Sequence, residues 1–323
     1  LHIPEYNWWN EALHGVARAG VATSFPQAIA MAASFDQDEV QHLGEIASTE
    51  GRAKYNALSQ KGDRDIYKGL TFWSPNINIF RDPRWGRGHE TYGEDPYLTT
   101  QLGLSYIRGL QGQGEYLKAA ACAKQFAVHS GPEAERHHFD VHPSKKDMAE
   151  TYLPAFEAAV KEGHVESVMG AYNAVNGYPC CGSPELLQNY LRDNWGFEGH
   201  VVSDCWAIRD FHENHHFTDT PAESSAAALK AGTDLNCGCT YRCLLTALAQ
   251  KLISEADIRQ AAVRLFTTRY LLGIMDGQHT EFDNIPYSKV ECKAHTDYAI
   301  QAAEKGIVLL KNNGILPLCK ENL

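Results

Sequence analysis

In the stretch HVVSDCWAI, residues 200–208, an apolar run typical of a buried strand ends on a carboxylate, Asp204. Four further stretches are predicted to be strands that enter loops, at 70–80, 119–128, 167–175 and 233–237. Polar side chains lie at the ends of several of these strands: Asn76, Lys124, Tyr172 and Asp204. Helical stretches lie between them. This alternation predicts parallel strands joined by right-handed crossovers, in a barrel or a doubly wound sheet.

Three serines have the features of helix N-caps. Ser183 is followed by Pro184, and proline is well tolerated at the first helical position. Ser144 and Ser254 are each followed three residues later by an aspartate, a short variant of the capping box. Pro154 is predicted to kink the helix that begins after Ser144.

Two observations favour the barrel over the doubly wound sheet. The glycine-rich Gly-x-Gly-x-x-Gly turn of nucleotide-binding sheets is not found after a strand. Polar residues also end several different strands, as they do around the mouth of a barrel. We therefore predict an α/β fold, a (β/α)8 TIM-like barrel over residues 1–282. Residues 283–323 are predicted to be a linker and the beginning of a second element, with a helix at 298–305 and a strand at 306–310.

The charge balance limits the partners of this chain. It carries 29 Lys+Arg against 40 Asp+Glu, a formal net charge of −11, and lacks a basic stripe. Such a surface repels the phosphates of nucleic acids and anionic membranes. Apolar runs also fall short of the roughly 18 residues of a membrane span. We expect no nucleic-acid partner and no membrane association.

The nine cysteines are an odd number, which leans against a fold built on disulfides. The compartment is unknown from the sequence; the cysteine count and the lack of a visible signal peptide slightly favour the cytoplasm. Cys237, Cys239 and Cys243 form a cluster whose spacing differs from that of a zinc knuckle, so we interpret them as buried or half-buried thiols.

Histidines form two groups, at 137, 138 and 142 and at 212, 215 and 216. Because a His-Glu-x-x-His motif is lacking, we interpret them as loop residues around a polar cleft and expect neither a metal nor a cofactor. A metal hydrolase built on these histidines and cysteines is the alternative, and loss of activity on chelation, restored by zinc, would support it.

The loop RDPRWGRGHETYGED, residues 81–95, combines three arginines, four carboxylates, two aromatic residues and three glycines. Guanidinium groups can bind vicinal hydroxyls through two hydrogen bonds, and flat aromatic faces suit the C–H patches of a sugar. A solvated loop of ion pairs has the same composition. Asp204 likewise fits either a nucleophile or the cap of the next loop, and Lys124 either a ligand or a structural role.

Taken together in order, these motifs resemble glycoside hydrolase family 3, in its β-xylosidase and β-glucosidase branch. The motifs that carry the resemblance are NEALHG at 10–15, RDPRWGR at 81–87, YGEDP at 92–96, Lys124, MGAYN at 169–173, Asn176-Gly177, VSD at 202–204, GTD at 232–234 and GIVLLK at 306–311. They cover nearly the whole chain. The resemblance implies a barrel that holds a sugar at its C-terminal face, followed by an α/β sandwich domain of which residues 283–323 contain only the start.

The resemblance also implies the chemistry. Asp204 matches the nucleophile of a retaining, exo-acting β-glycosidase that removes the terminal non-reducing sugar of an oligosaccharide or aryl β-glycoside. The positions matching substrate contacts are Glu11, Arg87, Lys124, Gln125, Arg136, Tyr172 and Trp206. Glu11 is expected to crowd a C5 hydroxymethyl group, which favours xylose; a β-glucosidase is the alternative.

Two departures from the family pattern matter. Gln125 stands where the family usually has histidine, so this position cannot carry charge. The general acid of multi-domain relatives is a glutamate on the following domain, which this chain only begins. His129 is a candidate replacement, whereas Glu90, Glu94, Glu133 and Glu135 are expected to form ion pairs. The alternative is therefore a catalytically incomplete sugar-binding barrel that needs a partner chain for its general acid. The expected protein partner is a second copy of this chain, in a homodimer, or a chain that supplies the second domain.

Overall fold

A curled parallel sheet forms the centre of the computed structural model, which describes residues 3–275 and 277–319. The strands of the described residues are β1 (Thr71–Phe72), β2 (Ala120–Phe126), β3 (Asp140–Val141), β4 (Ser167–Gly170), β5 (Ala174–Val175), β6 (Tyr178–Pro179) and β7 (His200–Ser203). The main sheet has the order β1-β2-β4-β7, and all its pairs are parallel. Strands β3, β5 and β6 form a small separate sheet.

Single bridges extend the main sheet at both edges. Asn10 pairs with Phe72 on one side, and Val202 pairs with Leu235 on the other, both in parallel. Side chains then bring the two edges together: the ring of Trp8, beside the first edge, lies 5.1 Å from the ring of His200 on β7. The α/β barrel class predicted from the sequence is confirmed, with an irregular wall in which short strands alternate with single bridges.

Helices surround this sheet. They are α1 (Ala28–Ala32), α2 (Gln37–Ser59), α3 (Pro96–Gln111), α4 (Lys145–Asp147), α5 (Pro154–Lys161), α6 (Asp210–Glu213), α7 (Pro221–Ala231), α8 (Leu244–Ala249), α9 (Glu255–Leu271) and α10 (Lys293–Lys305), with π-helical segments at Met148–Tyr152 and Glu185–Asn194. Within the described ranges, no helix has both the length and the apolar composition needed to cross a bilayer.

The predicted helix starts are present. Ser144 and Ser254 form capping boxes with Asp147 and Asp257, and the hydroxyl of Ser183 accepts a hydrogen bond from the Leu186 amide. The chain after Ser144 changes from α-helix to π-helix and then starts a new α-helix at Pro154. Proline interrupts the helix in this way because it lacks an amide donor and its ring clashes with the preceding turn.

The C-terminal region differs in part from its prediction. Helix α10 begins at Lys293, earlier than the predicted 298, and its His295 contacts the buried Glu50 on α2 at 2.7 Å. The predicted strand at 306–310 is wrong for the described residues, where this segment pairs with no other strand. Its side chains Ile307 to Leu310 are 55–91% exposed. A domain boundary after residue 282 stays a prediction.

The amino-terminal end of the sheet contains a buried polar network. The hydroxyl of Thr268 on α9 donates to Glu166 at 2.6 Å and lies 2.7 Å from Nδ1 of His200. Because that hydroxyl already donates to the carboxylate, it accepts from His200, whose Nδ1 therefore carries the proton. Burial raises the pKa of Glu166 to about 7, against the hydrogen bond from Thr268, which lowers it.

This pKa predicts a pH-dependent stability. A carboxyl that binds its proton more tightly in the folded state stabilises the fold below its ordinary pKa, and this contribution is lost as the pH rises through about 7. In Glu166→Gln the pH-dependent contribution is absent. We expect the free energy of unfolding of the variant, relative to wild type, to rise by about 3 kcal/mol between roughly pH 5 and 8.

Urea unfolding at both pH values measures this difference. The exposed Glu162→Gln, close by in the chain, is the matched control and should follow wild type. A difference between Glu166→Gln and wild type that does not change with pH would contradict the assignment.

Candidate active site

The carboxyl ends of three neighbouring strands bring the candidate residues together. Lys124 and Gln125 lie near the end of β2, Tyr172 follows β4, and Asp204 follows β7. The amide of Asp204 donates to the carbonyl of Gly170, the last residue of β4, at 3.0 Å. The site therefore lies at the end of the barrel where strand-to-helix loops assemble.

Asp204 is only 7% exposed, and both carboxylate oxygens have partners. Oδ1 accepts from the amide of Cys205 at 2.8 Å, and Oδ2 accepts from the side-chain amide of Gln125. Nη1 of Arg87 lies 4.0 Å from Oδ2. These contacts hold the carboxylate in one orientation with a positive charge beside it.

Arg87 is fixed from its other side by Glu90. Nε and Nη2 of the guanidinium donate to the two carboxylate oxygens, each at 2.8 Å. Burial alone would raise the pKa of Glu90, but the bonds and charge of Arg87 outweigh it and lower the pKa to about 2. Burial similarly opposes the charge on Arg87, whose pKa is nevertheless raised by Glu90 and by the charges of Asp204 and Glu11. Both groups are ionised at neutral pH.

A cavity of about 330 Å³ opens beside these groups. Its walls include Glu11, Arg87 and Lys124, together with aromatic faces from Trp9 and Tyr67. Nζ of Lys124 contacts Oε2 of Glu11 at 3.0 Å, and the indole of Trp9 donates to Oε1 at 3.1 Å. The cavity thus offers charged hydrogen-bonding groups and flat apolar surface together, as a sugar requires.

Tyr172 lies between Asp204 and the loop at 129–137. Its side chain is 7% exposed; burial, and then the negative charge of Asp204, raise the pKa of its hydroxyl well above the ordinary value. The hydroxyl therefore stays protonated at any physiological pH. The guanidinium of Arg136 lies over the Tyr172 ring at 5.6 Å and also pairs with Glu133.

Trp206 differs from the other predicted contacts. It follows Asp204 closely in the chain but is 41% exposed, stacks on the guanidinium of Arg209 at 4.9 Å, and does not line the cavity. The sequence interpretation expected an ion pair for Glu90 but missed that its partner is Arg87 and that both residues line the cavity. The Arg87-x-x-Glu90 spacing on a short helical turn was the available signal.

The residues considered as proton donors are poorly suited to act as a general acid at neutral pH. Burial, followed by the charge of Arg87, lowers the pKa of His129 to about 4, so its imidazole is neutral and cannot act as an acid at neutral pH. Glu90 and Glu133 form the expected ion pairs. For Glu94 and Glu135 the expectation is wrong: both are exposed, and neither forms an ion pair with a described residue.

The cysteine interpretation requires a correction. Cys237 is bonded to Cys205, next to Asp204, instead of being a thiol. Cys239 is a free thiol but is exposed, contrary to the prediction, and Cys243 is a free, half-buried thiol. The pairing removes the cysteine-count argument for the cytoplasm, because stable disulfides are typical of oxidising compartments. Three or more histidine, cysteine or acidic side chains do not converge on a metal-binding arrangement anywhere in the described residues.

Comparison with known proteins assigns the family. The model of the glycosyl hydrolase family 3 N-terminal domain matches residues 3–269, so this chain belongs to glycoside hydrolase family 3. The resemblance found in the motifs is thereby confirmed.

The relatives share much of the sequence. A xylan 1,4-β-xylosidase of Xylanibacter ruminicola is 47% identical over 99% of this chain and 38% of its own length. A β-xylosidase/α-L-arabinofuranosidase of Medicago sativa is 42% identical over 98% of this chain and 43% of its own. A solved family 3 exo-β-xylosidase, in complex with a xylobiose aziridine activity-based probe, superposes with a TM-score of 0.92 at 38% identity, covering 98% of this chain and 42% of that one. The chain thus spans about two fifths of these relatives.

The disulfide beside Asp204 predicts a thiol count. With Cys205 and Cys237 joined, alkylation of the denatured, unreduced protein should modify seven of the nine cysteines, and prior reduction should expose all nine. Intact-mass spectrometry measures both numbers. Cys205→Ser is the control, since it should give eight alkylated thiols with or without reduction. Nine modified thiols in the unreduced wild type would contradict the pairing.

Proposed function

We propose that this chain is the nucleophile-bearing barrel of a retaining, exo-acting β-glycosidase that releases a terminal xylose from oligosaccharides. The observation that carries the proposal is the position of Arg87, which lines the cavity and also lies 4.0 Å from Asp204. A sugar that occupies the cavity is thereby placed within reach of the carboxylate.

The proposed reaction uses this placement. An oxygen of Asp204 attacks the anomeric carbon, and the glycosidic bond breaks with its electron pair leaving on the aglycone oxygen, which takes a proton. Water then attacks the same carbon from the opposite side and releases the sugar, and two inversions keep the configuration. The hydrogen bonds from Gln125 and the Cys205 amide aim the carboxylate at the carbon.

The remaining residues act on the sugar hydroxyls and on the nucleophile. Lys124 and Arg87 donate to hydroxyls, and Glu11 accepts from those at the far side of the cavity. Tyr172 donates toward Asp204, and Arg136 stabilises the Tyr172 ring. Gln125 contributes hydrogen bonds without charge. Trp206 lies outside the cavity lining, so no contact with the sugar is assigned to it.

Xylose is preferred over glucose on two grounds. The carboxylate of Glu11, held by Lys124 and Trp9, occupies space that a C5 hydroxymethyl group would need. The relatives that cover nearly this whole chain include enzymes named as xylosidases. A β-glucosidase is the second candidate, favoured by a solved β-glucosidase of Erythrobacter marinus with a TM-score of 0.86 at 34% identity, over 96% of this chain and 40% of that one.

The proton for the aglycone must come from beyond the groups around Asp204. Among the described residues, those nearby are ionised, as Glu90 is, or neutral and buried, as His129 is. A domain that follows the barrel, or a partner chain, would supply the acid. Without it the barrel is a sugar-binding module with a nucleophile.

Covalent labelling tests the nucleophile separately from the acid. A 2-deoxy-2-fluoro-xyloside with a dinitrophenyl leaving group needs no protonation, so the chain should form a 1:1 adduct detected by intact mass and mapped by peptide sequencing to Asp204. Asp204→Asn should form none, because an amide cannot provide the attacking oxygen. Asp219→Asn, in an exposed loop, is the matched control and should label as wild type does.

The outcomes separate the candidates. An adduct on another residue would refute the assignment of Asp204. A folded chain that binds xylose but forms no adduct would favour the sugar-binding module. Faster labelling by the corresponding fluoro-glucoside would favour the β-glucosidase.

Substitution of Glu11 tests the preference for pentose. Glu11→Ala removes the carboxylate that crowds C5, so the ratio of labelling rates, glucoside over xyloside, should rise about tenfold, the scale of one small group in a pocket. The second-order labelling constant, kinact/KI, measures this ratio for each sugar. Glu5→Ala, exposed on the same segment, should leave it unchanged. An unchanged ratio in Glu11→Ala would remove the structural basis for preferring xylose.

A further inference from the structure

The ring of Tyr172 is enclosed by side chains that the proposed mechanism does not use. The imidazole of His137 meets it edge to face, with centroids 4.8 Å apart and planes at 67°. The ring of His129 lies 5.7 Å from that of Tyr172, tilted by 41°. Edge-to-face contacts restrict a ring to a narrow range of orientations. The direction in which the Tyr172 hydroxyl points is therefore set in part by His137.

His137 is itself held by a buried carboxylate. Asp210, at the start of α6, is completely buried, and its Oδ2 lies 2.8 Å from Nδ1 of His137. Its Oδ1 accepts from the side-chain amide of Asn214 at 2.6 Å. The carboxylate can only accept, so Nδ1 of His137 carries a proton and the ring orientation is fixed. His137 is still 41% exposed, so its ring is positioned by this bond more than by packing.

The same turn holds Tyr172 by its backbone. The amide of His215 donates to the Asp210 carbonyl at 2.7 Å, and Nε2 of His215 donates to the Tyr172 carbonyl at 2.8 Å. Asp210 thus reaches Tyr172 by two routes, through the ring of His137 and through the main chain at His215. Both routes end on the tyrosine whose hydroxyl is influenced by the charge of Asp204.

We propose that His137, anchored by Asp210, is a positioning residue that holds the Tyr172 hydroxyl toward Asp204 and so sets the rate of nucleophilic attack. The proposal rests on the proposed function of Asp204. His137 does not line the cavity, so we expect its effect on the attack step and not on sugar binding.

A double-mutant cycle tests the proposal. His137→Gln keeps an amide donor for Asp210 but removes the ring that faces Tyr172. In His137→Gln, labelling by the fluoro-xyloside reagent should show kinact reduced about tenfold relative to wild type, with KI unchanged. In the Tyr172→Phe background, adding His137→Gln should cause no further reduction. His142→Ala, exposed just after β3 and paired among the described residues with Asp140, is the matched control and should label as wild type does.

A second readout does not depend on labelling. In the unliganded chain, the 13Cζ resonance of Tyr172, assigned with Tyr172→Phe, should not titrate up to about pH 11 in wild type, since its pKa is raised. In His137→Gln, opening of the ring environment should bring the titration into the measured range. Asp210→Asn, which still accepts a hydrogen bond, should have a smaller effect.

If His137→Gln reduced kinact equally in the wild-type and Tyr172→Phe backgrounds, the proposal would be overturned. A rise in KI at constant kinact would also overturn it. If wild type forms no adduct, the proposed function fails, and the tyrosine titration then decides the positioning of Tyr172: an unchanged resonance in His137→Gln would overturn that as well.

Discussion

The parallel register of β2, β4 and β7 is the constraint on which the site depends. Phe126 pairs with Gly170, and Gly170 pairs with Ser203, so these three strands reach the same edge together. The residues just before and after those positions then meet, as the contact between Asp204 and Gly170 and the bond between Gln125 and Asp204 show. A one-residue slip in this register would turn the side chains to the other face of the sheet and disperse the site.

The charges at this edge are arranged so that each has an opposite neighbour. Arg87 lies between Glu90 and Asp204, and Lys124 pairs with Glu11. Buried charges are tolerated only when paired and hydrogen-bonded. Because Glu90 takes the close two-point contact with Arg87, Asp204 has the guanidinium beside it without being locked in a close ion pair. A neutral sugar can bind to such a network without leaving any charge unpaired.

What the sequence predicted follows from local rules, and what it missed depends on distant partners. Asp204 and Lys124 could be placed at strand ends because apolar runs and their polar ends are local features, and the serine caps likewise. The disulfide between Cys205 and Cys237 spans 32 residues and depends on the β-bridge between Val202 and Leu235. The sequence pattern does not predict that bridge. The segment at 306–310 has strand composition, but a strand requires a neighbour to pair with.

The pKa values around the barrel bear on where the general acid of the proposed reaction can lie. A general acid works best with a pKa near the working pH. Among the described carboxyls with a raised pKa, Glu166 comes near this value at about 7, yet it precedes β4, at the end of the barrel opposite to Asp204. At the mouth, Arg87 holds Glu90 ionised against the effect of burial, whereas burial and then the charge of Arg87 keep His129 neutral. The positive charge of Arg87 thus disfavours a protonated acid beside it, which gives a physical reason for the acid of the proposed reaction to come from a different structural unit.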